Sequence, residues 1–129
     1  NTSTNHLITN CTVKSLGVNT GTYKLTVLLT EDSIVAEQLD YRIAPPTPQK
    51  IPNYVFNHVL RSAINNTWGD AVFTGGAALN DSVVKSYPNF SINSTYRPEK
   101  CHVVAFIYDA DASSPTYYEV FQAEEAHVK

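Results

Sequence analysis

The segment CHVVAFIYD, residues 101–109, decides the fold because it is apolar on both of the faces that an extended chain presents. Successive side chains of a strand point to opposite sides. One face carries Val103, Ala105 and Ile107, and the other carries Val104, Phe106 and Tyr108. A strand with two apolar faces is typical of the middle of a layered structure. The segment therefore predicts a central strand that other elements cover.

Five other segments have the alternation or the β-branched and aromatic residues of strands. They are LITNCTVK (7–14), TYKLTVLLTED (22–32), SIVAEQLDYR (33–42), SVVKSYPNFSINSTY (82–96) and TYYEVFQAEEAHV (116–128). We expect the first two to form a hairpin through the turn GVNTG (17–21). We expect the last to pair with residues 101–109 across ADASSP (110–115), whose residues suit a turn.

Two stretches of turn-forming residues separate these strands. The first, APPTPQKIP (44–52), contains four prolines, and we expect a loop there because proline removes a donor from a sheet ladder. The second, NNTWGDAVFTGGAALNDS (65–82), is expected to wander before the next strand. Strands at this spacing, with polar turns and no repeat, predict an all-β chain. The predicted architecture is a two-sheet antiparallel β-sandwich, Ig-like or jelly-roll-like with long loops, forming one domain over residues 1–129.

The stretch YVFNHVLRSAIN (54–65) is compatible with two secondary structures. Its apolar residues recur at helical spacing, with His58 and Arg61 turned the other way. These apolar residues are Phe56, Val59, Leu60, Ala63 and Ile64. A strand divides polar and apolar residues less cleanly, but the surrounding strands and the aromatic and β-branched start favour it. A strand is therefore our prediction, supported mainly by the resemblance described below.

Composition excludes several classes of function. A chain of 129 residues suits a single core. Its formal charge of -3 and its lack of a basic cluster argue against nucleic-acid binding. Its longest apolar runs are far too short for a membrane-spanning helix, and no signal segment opens the chain. We therefore expect either a mature form or an excised domain.

The two cysteines, Cys11 and Cys101, lack the spacing of a metal site. In an oxidising compartment they could close a loop of about 90 residues, which the chain-entropy relation values at about 4 kcal/mol. Two buried free thiols are the alternative. The spacing leaves both states open.

Few residues are candidates for catalysis or metal binding. His58 and Arg61 have no nucleophile at a recognised spacing, so we expect them to belong to the scaffold, or else to a recognition patch. Asp109 and Asp111 lack the further carboxylates and the glycine of a calcium loop, and turn chemistry is favoured. Three glutamates near the last strand are expected to face water: Glu119, Glu124 and Glu125.

Other polar and aromatic residues suggest binding only. His102 and His127 would meet across the closing hairpin, but no third ligand can be named, so no metal or cofactor is predicted. Trp68 and Tyr117, with other tyrosines near them, could form an aromatic surface for sugar or peptide, or could cap the core. The ligand-binding candidates are therefore Trp68, His58, Arg61 and Tyr117. Sequons at Asn65 and Asn93 would indicate glycosylation in a secreted eukaryotic protein, whereas the bacterial resemblance described below implies that they are polar surface.

Three segments resemble the C-terminal region of the family related to the 28-kilodalton outer membrane protein of Bacteroides and Porphyromonas. They are VLLTEDSIVAEQ (27–38), NYVFNHVLRSAINNTWGD (53–70) and CHVVAFIYDADASSPTYYEVFQAEEAHV (101–128). The core Asn-His-Val-Leu-Arg followed by Trp-Gly is the most specific part. The resemblance implies a β-sandwich at the C-terminal end of a larger envelope protein, often after a thioredoxin-like domain.

The resemblance also carries the functional expectation. It implies a cell-envelope location associated with the outer membrane, periplasmic or surface-exposed and with a lipoprotein anchor, and it brings no catalytic residues. We therefore expect a non-catalytic module for interaction or structural support, whose partner is an adjacent thioredoxin-like domain, an envelope protein or a glycan. The alternative is a carbohydrate- or peptide-binding module that uses the loop aromatics.

Overall fold

The computed structural model describes residues 5–42 and 49–129, and this part of the chain is all-β. Its strands are β1 (His6–Lys14), β2 (Tyr23–Glu31), β3 (Ile34–Asp40), β4 (Gln49–Phe56), β5 (Val59–Ala63), β6 (Asp70–Phe73), β7 (Ser82–Ser91), β8 (Cys101–Asp109) and β9 (Val120–His127). A single 3-10 turn, Pro98–Lys100, precedes β8 within the described residues. In the same ranges no helix has the length and apolar character needed to cross a membrane.

Strands β2 and β8 form the centre of the larger sheet, as the two-faced apolar pattern of β8 predicts. The sheet has the order β5-β2-β8-β9, and β6 also pairs with β2. The antiparallel register sets Leu25 opposite Ile107 and Val27 opposite Ala105. Leu25, Val27 and Leu29 point to one face, which we call the inner face, and at most 3% of each is exposed. The core is therefore built on the inner face of β2.

A second layer, the β1–β7 pair, covers this inner face. Its inward side chains pack against Leu25, Val27 and Val72. They are Cys11, Val13, Val83 and Tyr87. The two layers enclose one apolar core, which confirms the all-β sandwich. Both cysteines are free thiols in this arrangement.

The predicted hairpin between the first two strands is wrong. β1 pairs with β7 and not with β2. Ser15 donates its backbone N–H to Asp81 at 2.8 Å, and Asn19 exchanges backbone bonds with Ala77, so the chain after β1 continues beside the segment that leads into β7. Alternation shows that β1 has one apolar face, but that face is buried equally well by a strand in the facing layer.

Strands β3 and β4 form a two-stranded ribbon that continues β2 and β5 beyond a kink. Ser33 and His58 adopt positive φ, 59° and 53°, at the same level of the two chains. Ser33 N–H donates to Asn57 Oδ1 at 3.0 Å, and His58 N–H donates to Asp32 Oδ1 at 2.6 Å. These reciprocal bonds fix the bend, because side chains replace the ladder bonds that the kink removes.

The ribbon corrects part of the loop prediction for residues 44–52. Residues 43–48 lie outside the described residues, but Gln49 to Pro52 belong to β4. The register shifts between Ala36 and Gln38, which pair with Tyr54 and Ile51. Pro52 therefore lies in an irregular part of the ladder, where a missing N–H is tolerated.

The stretch 54–65 is extended, as predicted, but it is not one strand. β4 ends at Phe56, the chain bends at His58, and β5 begins at Val59. The bend interrupts the strand alternation and produces the apparent helical spacing. Sequence reasoning also missed β6, which lies inside the stretch expected to wander (65–82), and began the closing strand at residue 116 where β9 starts at Val120.

Candidate functional site

The end of β2 holds a buried carboxylate between two arginines. The Glu31 side chain is 3% exposed, and Arg97 Nε donates to its Oε1 at 2.9 Å. Arg61 Nε lies 3.3 Å from Oε2, and its guanidinium stacks on the ring of Tyr96 at 4.1 Å from the centroid. The structure therefore uses Arg61 to neutralise a buried charge and cover an aromatic ring.

Arg97 is a residue that sequence reasoning missed. Its Nη2 donates to the carbonyls of Asp32 and Ser33, at 2.8 and 2.9 Å, while its Nε serves Glu31. One guanidinium thus binds both the buried Glu31 carboxylate and the backbone carbonyls at the kink. No local pattern could indicate this role, because Glu31 and Arg97 are 66 residues apart in the chain.

His58 and His102 lie in a cluster with two carboxylates, which we call the imidazole–carboxylate cluster (Asp32, His58, His102 and Glu125). Glu125 Oε1 lies 2.6 Å from His102 Nδ1, and its Oε2 lies 3.5 Å from His58 Nε2. Asp32 faces the other nitrogens, at 3.5 Å from His102 Nε2 and 3.7 Å from His58 Nδ1. The cluster joins both sides of the kink to β8 and β9.

The pKa of Asp32 lies below its ordinary value, chiefly because the His58 backbone N–H bonds to the carboxylate, with the nearby imidazoles and Lys100 adding to the effect.

His102 and His127 are directly opposed, with ring centroids 4.6 Å apart, as the closing hairpin predicted. Glu125, expected to face water, is exposed and also contacts both imidazoles. In the ranges 5–42 and 49–129, no three His, Cys, Asp or Glu side chains are arranged to hold a metal ion.

Aromatic rings collect at the opposite end of β8, and we call them the aromatic platform (Trp68, Tyr108, Tyr117 and Tyr118); Tyr108 is buried and the other three are exposed. Tyr117 and Tyr118 have centroids 3.8 Å apart with 30° between their planes, and Tyr118 lies 6.0 Å from Tyr108. Tyr108 donates its hydroxyl to the Trp68 carbonyl at 2.6 Å. Trp68 is 66% exposed and Tyr118 55%. The candidates Trp68 and Tyr117 therefore lie near the same end of β8, far from His58 and Arg61.

The loop under the platform uses its acidic side chains to hold its own backbone. Asp109 is 2% exposed and accepts bonds from the Asp111 N–H at 2.9 Å and the Thr116 hydroxyl at 2.7 Å. The Ser114 hydroxyl is the largest of the contributions that lower the pKa of Asp109. Asp111 accepts from the N–H and hydroxyl of Ser113. The carboxylates of Asp109 and Asp111 therefore stabilise the turn, which is the role that the sequence predicted for them.

Asn65 ties the Trp68 loop to the centre of the sheet. Its Oδ1 accepts from Val27 N–H at 3.0 Å, and its Nδ2 donates to the Leu25 carbonyl at 2.8 Å. Between β5 and β6, the Asn65 side-chain amide thereby makes the two hydrogen bonds to β2 that a backbone peptide group of a continuous strand would make. The same Nδ2 lies near Asp70 Oδ2 and Tyr87 Oη, at 3.1 and 3.2 Å.

Two further features stabilise the connection between the Trp68 loop and β2. Burial and the bond to Asp70 raise the pKa of Tyr87 to about 12. Gly69 has φ +68°, and a Cβ there would lie 2.7 Å from the Leu25 carbonyl oxygen. The Trp-Gly pair of the sequence therefore places an exposed indole directly before the residue that must pass tightly over β2.

A groove of about 880 Å³ opens between the two layers, and sequence reasoning did not foresee it. The β1–β7 pair covers β2 but leaves part of the inner face of β8 and β9 open. The groove lies between residues 10–19 on one wall and Ala105, Ile107 and Phe121 on the other. All eight residues of β9 are exposed, which agrees with a strand that one layer leaves uncovered.

Comparison with known proteins identifies the family of the chain. No curated protein and no solved structure matches it. The family model described as outer membrane protein Omp28 matches residues 1–129, the whole chain. The chain therefore belongs to the Omp28 family of outer membrane proteins.

Proposed function

We propose that this chain is a non-catalytic interaction module of a protein associated with the outer membrane, and that the groove is its binding surface. The observation that carries the proposal is the groove itself, about 880 Å³ in volume with Ile107, Phe121 and Tyr23 in its lining. Binding sites in proteins are typically concave and mostly apolar, with a few polar groups that orient the ligand. Asn10, Lys14 and Gln122 supply such groups here.

The walls of the groove suit an extended peptide segment of a partner protein. Among the described residues β1 pairs with β7 alone, so its other edge has backbone groups free for a further strand. Apolar side chains at the rim, Leu16 at 84% and Val18 at 81% exposure, would be covered by such a segment. Phe121 in the facing wall is half exposed. Covering these side chains would add apolar burial to the backbone bonds.

A binding role without catalysis fits the surroundings of the histidines. Both ring nitrogens of His58 and of His102 face carboxylates, and within residues 5–42 and 49–129 no hydroxyl or thiol bonds to either ring. A general base needs a nucleophile or substrate proton within reach. Turnover in a broad hydrolase panel that His58→Ala abolishes would contradict this part of the proposal.

The family supports a setting in the cell envelope. We infer that the chain is the C-terminal module of a larger envelope protein held by a lipid anchor, with its partner segment in an adjacent thioredoxin-like domain or in another envelope protein. Sequencing the complete gene tests this setting, because it would contain a lipoprotein signal and an upstream domain. A gene that encodes neither would overturn it.

Partner binding in the groove is tested with a charge placed on its wall. Phe121→Glu introduces a carboxylate at a half-exposed groove position, and Val84→Glu, at 63% exposure on β7, is the matched control. We expect saturable binding of a purified envelope extract to the native chain, at least tenfold weaker for Phe121→Glu and unchanged for Val84→Glu. Equal binding by the two variants would remove the groove from the proposal.

A second candidate function is carbohydrate binding by the aromatic platform. The exposed stack of Tyr117 on Tyr118 and the exposed Trp68 ring favour it, because sugars bind against aromatic faces that polar groups surround. A glycan array tests this candidate. Binding that Trp68→Ala abolishes and Phe121→Glu retains would assign the function to the platform. Binding with the reverse sensitivity would assign it to the groove.

A further inference from the structure

The imidazole–carboxylate cluster has an unusual proton requirement. A neutral imidazole has one N–H donor and one acceptor nitrogen, whereas an ionised carboxylate only accepts. His102 presents its two nitrogens to Glu125 at 2.6 Å and to Asp32 at 3.5 Å. His58 faces the same two carboxylates at 3.5 and 3.7 Å. Each ring can therefore attract both of its carboxylates only when it carries two protons.

The charge balance of the cluster changes with those protons. When both rings are protonated, two cations face two carboxylates. When both rings are neutral, Asp32 and Glu125 keep their negative charges. Each ring then directs the lone pair of its unprotonated nitrogen toward one of these two carboxylates. Like charges and facing lone pairs repel at these separations. Protonation therefore replaces one repulsive contact of each ring with an attractive one.

The four residues belong to separate parts of the fold. Asp32 and His58 lie on the two sides of the kink from which the β3–β4 ribbon projects. His102 begins β8, and Glu125 lies in the edge strand β9. We propose that this cluster is a proton-controlled clasp, which fixes the base of the ribbon onto β8 and β9 when His58 and His102 are protonated and loosens it when they are neutral.

The charged neighbours of the cluster leave this balance in place. Lys100 helps to lower the pKa of Asp32, and the Arg97 guanidinium donates to the Asp32 backbone carbonyl. Glu31 is occupied by its two arginines. His127 touches the ring of His102, and its Nδ1 bonds to the Val128 carbonyl at 2.8 Å. The ring nitrogens that face the two carboxylates therefore belong to His58 and His102.

Amide hydrogen exchange measures the clasp directly. Unperturbed imidazoles titrate near pH 6.5 and carboxylates well below pH 5. We expect the backbone amides of Ser33, His58 and the ribbon, corrected for intrinsic rates, to be roughly tenfold better protected at pH 5.5 than at pH 8.0, the effect of about one charge-assisted hydrogen bond. Amides in the core of β2 report global stability and serve as the internal reference.

Two matched variants separate the clasp from a general effect of pH. Glu125→Gln keeps the shape of the side chain but removes its charge, and we expect it to abolish most of the pH response of the ribbon. Glu124→Gln alters the neighbouring residue, whose carboxylate accepts from Gln122 at 2.9 Å, and should keep the response. Equal ribbon protection at both pH values in the native chain, or an unchanged response in Glu125→Gln, would overturn the proposal.

Discussion

Each end of β8 joins segments that are distant in the chain, but the two ends do so through different kinds of interaction. At the His102 end, charged side chains from distant segments meet around Glu31 and the imidazole–carboxylate cluster. At the Tyr108 end, aromatic rings and the Tyr108 hydroxyl join the Trp68 loop and the closing hairpin, and N–H and hydroxyl donors surround the buried Asp109 carboxylate. The ends are about 20 Å apart, since Tyr108 follows His102 by six steps along the strand, at about 3.3 Å each.

This difference indicates which end tolerates change. A buried charge that loses its partner costs several kcal/mol, whereas a lost contact between exposed rings costs about 1 kcal/mol. The charged end should therefore dominate stability, while the aromatic end can vary and serve recognition. The predictions below test that division.

The largest effect is expected at the buried carboxylate. Glu31→Ala leaves two guanidiniums without their shared partner, and we expect the free energy of unfolding to fall by about 3 kcal/mol, the low end for a broken buried pair because both arginines reach water. Urea denaturation measures this change.

The control is an ion pair that is exposed. Glu37 contacts Lys50 at 2.7 Å, with half or more of both side chains exposed. Glu37→Ala should change the unfolding free energy by less than about 0.5 kcal/mol. If the two variants lose similar stability, burial does not distinguish the charged end, and the comparison fails.

A smaller loss is expected where Asn65 replaces a peptide group beside β2. Asn65→Ala leaves Val27 N–H and the Leu25 carbonyl without their partner, and should cost about 2 kcal/mol. Fluorescence of the single tryptophan, three residues away, should also change because its loop loses its anchor.

Asn66→Ala is the control within the same loop. Asn66 Oδ1 accepts one exposed bond, from Trp68 N–H at 3.2 Å, so the loss should stay below about 1 kcal/mol. A larger loss for Asn66 than for Asn65 would mean that the aromatic end is held by its turn and not by its connection to β2.

Sequence reasoning succeeded for strands in which buried and exposed side chains follow a regular local pattern. The two-faced pattern of β8 and the alternation of β1 and β2 predict their strands, because side-chain direction alternates whatever the partner is. The opposition of His102 and His127 was also predictable, since the two residues lie at equal distances along the chain from the predicted turn centre at residues 114 and 115.

Long-range assembly was not predictable in the same way. No pattern shows that β1 pairs with β7, or that Arg97 serves Glu31, because these contacts depend on the packing of the whole chain. The kink at His58 was hidden for a related reason: its positive φ is held by Asp32, a residue 26 positions earlier. The groove was hidden as well, since it arises from the unequal width of two layers.

The smallest effect concerns backbone strain under the aromatic platform. Tyr118 has φ +69°, which costs an L-residue about 1 kcal/mol relative to glycine. Tyr118→Gly and Tyr118→Ala both remove the ring, so we expect the glycine variant to be more stable by about 1 kcal/mol in thermal or urea unfolding. At Tyr117, which is not among the positive-φ residues, the order should reverse, with glycine less stable than alanine by about 0.5 kcal/mol. Opposite signs at adjacent residues would show that the loop holds Tyr118 in a strained conformation to present its ring, whereas alanine being better at both would leave the platform without that constraint.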